Sequence, residues 1–256
     1  MSDWNSDAYS KFSALRLRPA VDLLMKVPPL VGDEITDLGC GNGAVGPVLR
    51  TRFPKARIAG LDSSPAMLED AWKTGAYDAL TEGDIAKWRP ETPPALIYSN
   101  AALHWLPNHA TLLPELAGHL APGGTLAVQM PHQNSAPSHR LWIDLVDQHF
   151  PGRYDPDQTP GILDARTTYD LLDPLGHLTL WETEYMQRLD PATDAHPVRL
   201  FTSSTFARPV LNTLDADEQG LITRLYDEAM ELAYPRRADD SVLFPFRRLF
   251  FILTRP

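Results

Sequence analysis

Short apolar runs alternate with longer amphipathic stretches from Glu34 to Met130. The apolar runs predict five strands, in "EITDLG", "ARIAGLD", "YDALTEGDI", "PALIYSNA" and "TLAVQM". The stretches "AVGPVLRTRFP", "SSPAMLEDAWKTGA" and "HATLLPELAGHL" predict helices, the second with Ser64 as its N-cap and Pro65 in its first turn. Strands that alternate with helices are typical of a mostly parallel sheet covered by helices. The pattern therefore predicts an α/β fold with an open, mostly parallel sheet.

The pattern is less regular after Met130. It predicts helices in "SHRLWIDLVDQHF" and "RTTYDLLDPLG" and a sixth strand in "LTLWETEYMQRL". The pattern predicts helical and irregular structure over residues 190–240, and "RRLFFILT" predicts a seventh and last strand. Ligands of open α/β sheets bind at the carboxyl ends of the strands. The segments 132–165 and 190–240 are therefore predicted to be lid insertions that cover this edge and bind a substrate.

The loop "DLGCGNGAVG", which follows the first predicted strand, matches two cofactor motifs. Gly41, Gly43 and Gly46 form G-x-G-x-x-G, the fingerprint of dinucleotide binding. Asp37, Gly39, Gly41 and Gly43 form D-x-G-x-G-x-G, which methyltransferases use for S-adenosylmethionine. Both cofactors use glycines for close approach to the backbone and the unpaired N–H groups of the following helix for an anion. The loop by itself leaves both alternatives open.

Polar residues at the ends of neighbouring strands favour the second motif. Asp62 ends the second predicted strand, where a carboxylate accepts the ribose hydroxyls of either cofactor or caps the next helix. Asp84 follows the third strand, where methyltransferases hold the adenine amino group, although an ordinary loop aspartate also fits. Asn100 ends the fourth strand. Asp37 suits the ammonium of S-adenosylmethionine or caps the turn. Together these residues favour S-adenosylmethionine over NAD.

Composition excludes several classes of partner. The chain of 256 residues has a formal net charge of −10 and no run of Lys or Arg longer than two, which argues against nucleic acid. Cys40 is the single cysteine, and no metal site is predicted around it. No apolar run approaches the ~18 residues of a membrane-spanning helix, and "MSDWNSDAYSKF" lacks the pattern of a secretory signal. We expect a cytoplasmic, monomeric protein that acts on a small molecule and does not bind membranes.

Several stretches resemble the trans-aconitate 2-methyltransferase family. They are "SDWNSDAYSKFSALRLRPAVDLL", "DLGCGNG", "GLDSSPAML", "GDIAKW", "LIYSNAALHWLPNH", "LAPGGTLAVQMP", "PSHRL" and "RRLFFIL". The resemblance implies a Rossmann-like class I methyltransferase fold, with residues 1–256 as one domain and 1–30 as a cap over the cofactor. It implies S-adenosylmethionine as cofactor, S-adenosylhomocysteine as product, and methyl esterification of one carboxylate of a small tricarboxylic acid, trans-aconitate.

The resemblance also assigns residues to the cofactor. The predicted cofactor set comprises Asp37, Gly39, Cys40, Gly41, Asp62, Ser63, Met67, Asp84, Ile85 and Asn100, with Arg18 and Trp4 from the N-terminal segment.

No catalytic base is expected, because an acceptor carboxyl with a pKa of roughly 4 is already ionised at neutral pH. The protein then has to orient the acceptor, for which arginine is suited because its guanidinium holds a carboxylate bidentately. Arg208, in the apolar context "TFARPVL", is the first candidate for this clamp. The other candidates are His104, Arg199 and Arg247, with His139, Arg140 and Arg248 as further options.

Two late segments depart from the family pattern. Phe206 stands where relatives commonly carry glycine, and "ILDARTTYDLL" lacks the usual histidine and paired tyrosines. A methyltransferase for a less charged acceptor is therefore the first alternative. An NAD-dependent dehydrogenase, from the literal G-x-G-x-x-G, and a non-catalytic protein that binds the cofactor are remote alternatives.

Overall fold

A computed structural model describes residues 13–154, 161–203 and 205–256. Seven strands form one sheet over these residues. They are β1 (Glu34–Leu38), β2 (Arg57–Asp62), β3 (Ala79–Glu82), β4 (Leu96–Asn100), β5 (Thr125–Pro131), β6 (His177–Leu189) and β7 (Val242–Thr254). The strand order is β3-β2-β1-β4-β5-β7-β6. The seven-stranded α/β fold that the sequence predicts is confirmed.

The first five strands are parallel, and β7 pairs with β5 in the antiparallel direction. β4 and β5 lie in the interior of this order and are buried along nearly their whole length. This burial explains why "LIYSN" and "TLAVQMP" are almost continuously apolar and not alternating, as expected for strands covered on both faces. Because the parallel strands share one direction, their carboxyl ends lie at one edge of the sheet.

The helices that the structure describes follow the predicted pattern closely. They are α1 (Ser13–Leu24), α2 (Gly46–Arg52), α3 (Pro65–Lys73), α4 (His109–Gly118), α5 (Pro137–His149), α6 (Ala165–Leu172), α7 (Pro197–Ser203), α8 (Ala207–Leu211) and α9 (Ala216–Ala233). Ser64 caps α3 by accepting a hydrogen bond from the Met67 N–H, and Pro65 occupies the first turn, as predicted. No helix within the described ranges is long and apolar enough to span a membrane.

The described chain divides into two compact units. The larger contains residues 14–131, 161–183 and 248–256, and the smaller contains residue 13 together with 132–154, 184–203 and 205–247. Each unit has its own apolar core. The core of the larger unit includes side chains from α4, β5 and the end of β7. The smaller is built around Trp142 and Tyr226, whose rings stack with 3.8 Å between centroids. The larger unit carries the glycine loop.

The element boundaries differ from the prediction mainly in β7. The sequence predicts a strand over "RRLFFILT", whereas the strand begins five residues earlier at Val242. Pro245 lies in this added part, and proline is generally excluded from strand interiors because it lacks an N–H. The smaller unit extends to residue 247.

Candidate functional site

The glycine loop joins β1 to α2 at the carboxyl edge of the sheet. The N–H groups of Gly39 and Cys40 both donate to the Leu61 carbonyl, at 2.7 and 3.0 Å, and hold the loop against β2. Gly39 has φ +73°, and a Cβ there would lie 2.2 Å from the Cβ of Ala102, so only glycine fits. Gly41 has φ +53°, and no atom of the described residues lies within 4 Å of such a Cβ. The loop therefore packs tightly on one side and leaves space beside Gly41.

Asp62 joins the end of β2 to this loop. Its Oδ2 accepts a hydrogen bond from the Gly41 N–H at 2.8 Å, and its Oδ1 accepts one from the Ser64 N–H at 3.0 Å. A carboxylate offers about four acceptor positions, so two remain for ligand hydroxyls. The sequence places Asp62 and Gly41 at the same sheet edge, and the structure brings them into direct contact.

Asp37 is buried within β1 and is 2% exposed. The hydroxyl of Tyr77 donates to its Oδ2 at 2.8 Å. Burial raises the pKa of Asp37 to about 7, the Tyr77 hydrogen bond opposes this increase, and the charge of Asp62 adds to it. No pattern in the sequence points to Tyr77, which lies 40 residues from Asp37 and is the first residue of the third predicted strand.

The predicted adenine-side residues lie in the loop after β3. Asp84 is exposed, and its Oδ1 caps the short helical turn Ile85–Lys87 by accepting from the Ala86 N–H at 2.9 Å. The Cδ1 of Ile85 lies 3.5 Å from the position that a Cβ of Gly39 would occupy. The structure thus brings Gly39 and Ile85 together. Ser63 is exposed before α3, and Met67 lies half-buried in its first turn.

The end of β4 supplies a polar group with an unmet hydrogen-bonding capacity. The buried Oδ1 of Asn100 has no hydrogen-bond partner among the described residues. Ala101, which follows it, has φ +54°, an uncommon backbone conformation for a residue other than glycine. His104 lies in the short helical turn Leu103–Trp105 and is buried, with its ring 4.6 Å from the Trp105 ring. An orphaned buried acceptor is the kind of group that a bound ligand satisfies.

The N-terminal residues of the predicted cap are only partly described. Arg18 lies in α1 with an exposed side chain, whose Nε is 3.9 Å from the Asp22 carboxylate. Trp4 falls outside the described residues.

Most of the predicted acceptor-binding residues lie in the smaller unit. Arg208 is half-buried in α8, and Arg247 is exposed, with an Nη 3.7 Å from the Glu184 carboxylate. Arg199 donates from Nε to both carboxylate oxygens of Asp227, at 2.8 and 2.9 Å. This ion pair already engages one edge of the Arg199 guanidinium.

Two further options, both on α5, are less suited to an anion. His139 is buried against Phe206, with 4.4 Å between ring centroids, and burial lowers its pKa to about 3. A neutral imidazole supplies no positive charge. Arg140 is exposed and pairs with Asp144 at 3.0 Å.

The larger unit fits S-adenosylmethionine on its own geometry. It combines open space at Gly41, two spare acceptor positions on Asp62 and the orphaned Oδ1 of Asn100. These groups suit hydroxyls and an ammonium. Among the described residues, no group of three or more His, Cys, Asp or Glu side chains is arranged to hold a metal ion.

Comparison with known proteins agrees with this geometry. Residues 35–124 match a family described as "Methyltransferase domain". Trans-aconitate 2-methyltransferase from Methylobacterium radiotolerans is 40% identical over 263 residues, which cover 98% of each chain. The protein of the same name from Azoarcus sp. strain BH72 is 40% identical over 256 residues, which cover 100% of each chain. The structure is similar to the YcgJ protein from Bacillus subtilis, with TM-score 0.60 and 14% identity over 93% of this chain and 98% of that chain.

These similarities decide between the two enzyme classes. The matches are to methyltransferases, so the dehydrogenase alternative is wrong. The cofactor is S-adenosylmethionine, and the protein is an enzyme. The chain belongs to the trans-aconitate 2-methyltransferase family and has the class I methyltransferase fold.

Proposed function

We propose that this enzyme transfers a methyl group from S-adenosylmethionine to one carboxylate of trans-aconitate. The observation that carries the proposal is the full-length similarity, at 40% identity, to two proteins named trans-aconitate 2-methyltransferase. A match that covers both units includes the segments outside the cofactor loop, where an acceptor would bind.

In this proposal the carboxyl edge of the larger unit holds the cofactor. Asp62 binds the ribose hydroxyls with its spare lone pairs, and the exposed carboxylate of Asp84 binds the adenine amino group. Asn100 accepts from the cofactor ammonium through its orphaned Oδ1. The remaining members of the proposed cofactor set are Asp37, Gly39, Cys40, Gly41, Ser63, Met67, Ile85, Arg18 and Trp4.

Bound S-adenosylmethionine supplies an electrophilic methyl group on its sulfonium. The side chains of the enzyme bind and orient the acceptor carboxylate, which is ionised at neutral pH and needs no general base. Holding its oxygen ~3–3.5 Å from the methyl carbon and in line with the breaking bond accounts for several kcal/mol of the barrier. We assign this orientation to a clamp formed by Arg208, with His104, Arg199 and Arg247 as the other candidates.

The test is to incubate the enzyme with methyl-labelled S-adenosylmethionine and trans-aconitate. A carboxyl methyl ester is labile in base, so alkali should release the label from the product as volatile methanol. Base-stable label in the product would mean that the methyl group is not on a carboxylate oxygen and would contradict the proposed esterification. Absence of label, with S-adenosylhomocysteine still bound, would contradict the proposed acceptor and leave the cofactor assignment standing.

A less charged acceptor is the second candidate, and Phe206 favours it. Its ring is buried in the smaller unit against His139, whose imidazole is neutral because burial lowers its pKa to about 3. Transfer to monocarboxylates that exceeds transfer to trans-aconitate would support this alternative.

The proposal includes a cytoplasmic location and a monomeric state, with no nucleic acid or membrane as partner. The free, buried thiol of Cys40 suits a reducing compartment, and the net charge of −10 disfavours phosphate backbones. Light scattering on the purified enzyme tests the monomeric state.

A further inference from the structure

Three polar side chains share one face of the sheet near the carboxyl ends of β4 and β5. Asn100 of β4 pairs in register with Gln129 of β5, and Arg248 of β7 pairs with Pro131, two residues beyond Gln129. Paired residues, and residues two apart on one strand, project to the same face. Asn100, Gln129 and Arg248 therefore project together, and all three belong to the larger unit.

Gln129 and Arg248 are both buried, and a hydrogen bond joins their side chains. Arg248 is 3% exposed and Gln129 is fully buried. The Nη1 of Arg248 donates to the Oε1 of Gln129 at 3.3 Å. This bond fixes the orientation of the amide, because the reverse orientation would place two donors against each other. The Nε2 of Gln129 has no hydrogen-bond partner among the described residues.

This pair has the chemistry of a carboxylate site. A buried amide donor requires an acceptor, and the positive charge of the guanidinium beside it attracts an anion. A carboxylate can accept from Nε2 of Gln129 with one oxygen and from the guanidinium with the other. The orphaned Oδ1 of Asn100 is an acceptor, which would repel a carboxylate and attract an ammonium. The shared face thus separates an anion position from a cation position.

We propose that Gln129 and Arg248 bind a non-reacting carboxylate of the acceptor. The inference rests on the proposed function, which supplies an acceptor with more than one carboxylate. In that arrangement Asn100 faces the cofactor ammonium, and the Gln129–Arg248 pair faces the acceptor. The pair is a binding and specificity determinant that selects acceptors with a second carboxylate.

The most direct variant is Gln129→Glu, which keeps the shape of the side chain. The new carboxylate pairs with Arg248 inside the protein and repels an acceptor carboxylate. We expect the KM for trans-aconitate to rise at least about tenfold, and the Kd for S-adenosylhomocysteine to stay within about twofold of wild type. Arg57→Gln, at the opposite edge of the sheet where Arg57 pairs with Glu34, is the matched control and should change neither.

A substrate series identifies the carboxylate that is bound. Glutaconate, mesaconate and itaconate each lack a different carboxylate of trans-aconitate. One of the three lacks the reacting carboxylate and should not be methylated. For the analogue that lacks the bound carboxylate, wild type and Gln129→Glu should have kcat/KM values within about threefold, while the penalty persists for the third analogue. An equal penalty for both methylated analogues would overturn the proposal, because it would show a general structural effect.

Other outcomes separate this inference from the proposed function. If wild type does not methylate trans-aconitate, the proposed function fails. Binding of citrate to the complex with S-adenosylhomocysteine, measured calorimetrically, then tests the pair directly. A tricarboxylate that binds wild type and Gln129→Glu equally, or not at all, would overturn the inference. A rise in the Kd for S-adenosylhomocysteine in Gln129→Glu would also overturn it, because the pair would then hold the cofactor carboxylate.

Discussion

Replacement of Asp37 by asparagine should change how the stability of the cofactor-free enzyme depends on pH. Burial raises the pKa of Asp37 to about 7, from 3.8 for an unperturbed group. At a pH between these two pKa values, the Asp37 carboxyl is protonated in the folded chain and ionised in the unfolded chain. Lower pH therefore favours the folded state, and this contribution to stability is lost as pH rises toward 7. The asparagine side chain of the variant does not titrate and should not show this dependence.

The magnitude follows from the pH range. From about pH 5 to about pH 7, the unfolded chain is ionised at position 37 and the folded chain is protonated. Each pH unit in this range corresponds to about 1.4 kcal/mol, so two units correspond to about 3 kcal/mol. The free energy of unfolding of Asp37→Asn, minus that of wild type, should therefore be larger by about 3 kcal/mol at pH 8.5 than at pH 5.

Urea unfolding at a series of pH values measures this difference, with equal m values required in both proteins. Asp70→Asn is the matched control, because Asp70 is exposed on α3 and pairs with Lys73 at 2.7 Å. The free energy of unfolding of this control should stay within about 0.5 kcal/mol of the wild-type value at every pH. If the difference in free energy of unfolding between Asp37→Asn and wild type is also independent of pH, the assignment of a buried, protonated carboxyl in β1 is refuted.

The other predictions concern the loop, the acceptor and the Asp37 pair. Asp62→Ala should weaken S-adenosylhomocysteine binding at least about tenfold, ~1.4 kcal/mol, and calorimetry that gives wild-type affinity would exclude its role. Arg208→Ala should lower kcat/KM for trans-aconitate at least about tenfold at unchanged cofactor affinity; unchanged kinetics would remove it from the clamp. Gly39→Ala should lower Tm by several degrees, because its Cβ would overlap Ala102, whereas Gly118→Ala, with open space around its Cβ, should not. Tyr77→Phe removes a hydrogen bond that lowers the pKa of Asp37, so the pH-dependent range should extend above pH 7.

Local patterns were sufficient to predict most of the fold. The apolar strands, the Ser64 cap and Pro65 in the first turn of α3 all follow from interactions within a few residues. The first half of β7 was not predictable, because Pro245 contradicts the usual chemistry of a strand and only tertiary pairing places it there. The position of β7 between β5 and β6 also depends on tertiary packing, which local periodicity does not encode.

Site residues followed the same division. Asp62 and the glycine loop were predictable together because both come at the ends of neighbouring parallel strands. The bond between Asp37 and Tyr77 spans 40 residues, and that between Gln129 and Arg248 spans 119. No spacing rule connects positions so far apart. One local signal was available, since Gln129 is a polar residue inside the apolar strand "TLAVQMP".

The most direct test of the proposed function is the initial rate of methyl transfer to four tricarboxylates under identical conditions. We expect kcat/KM for trans-aconitate to exceed the values for cis-aconitate, citrate and isocitrate at least about tenfold. Equal values for all four, or transfer to none of them by an enzyme that binds S-adenosylhomocysteine, would contradict the claim that this enzyme esterifies trans-aconitate.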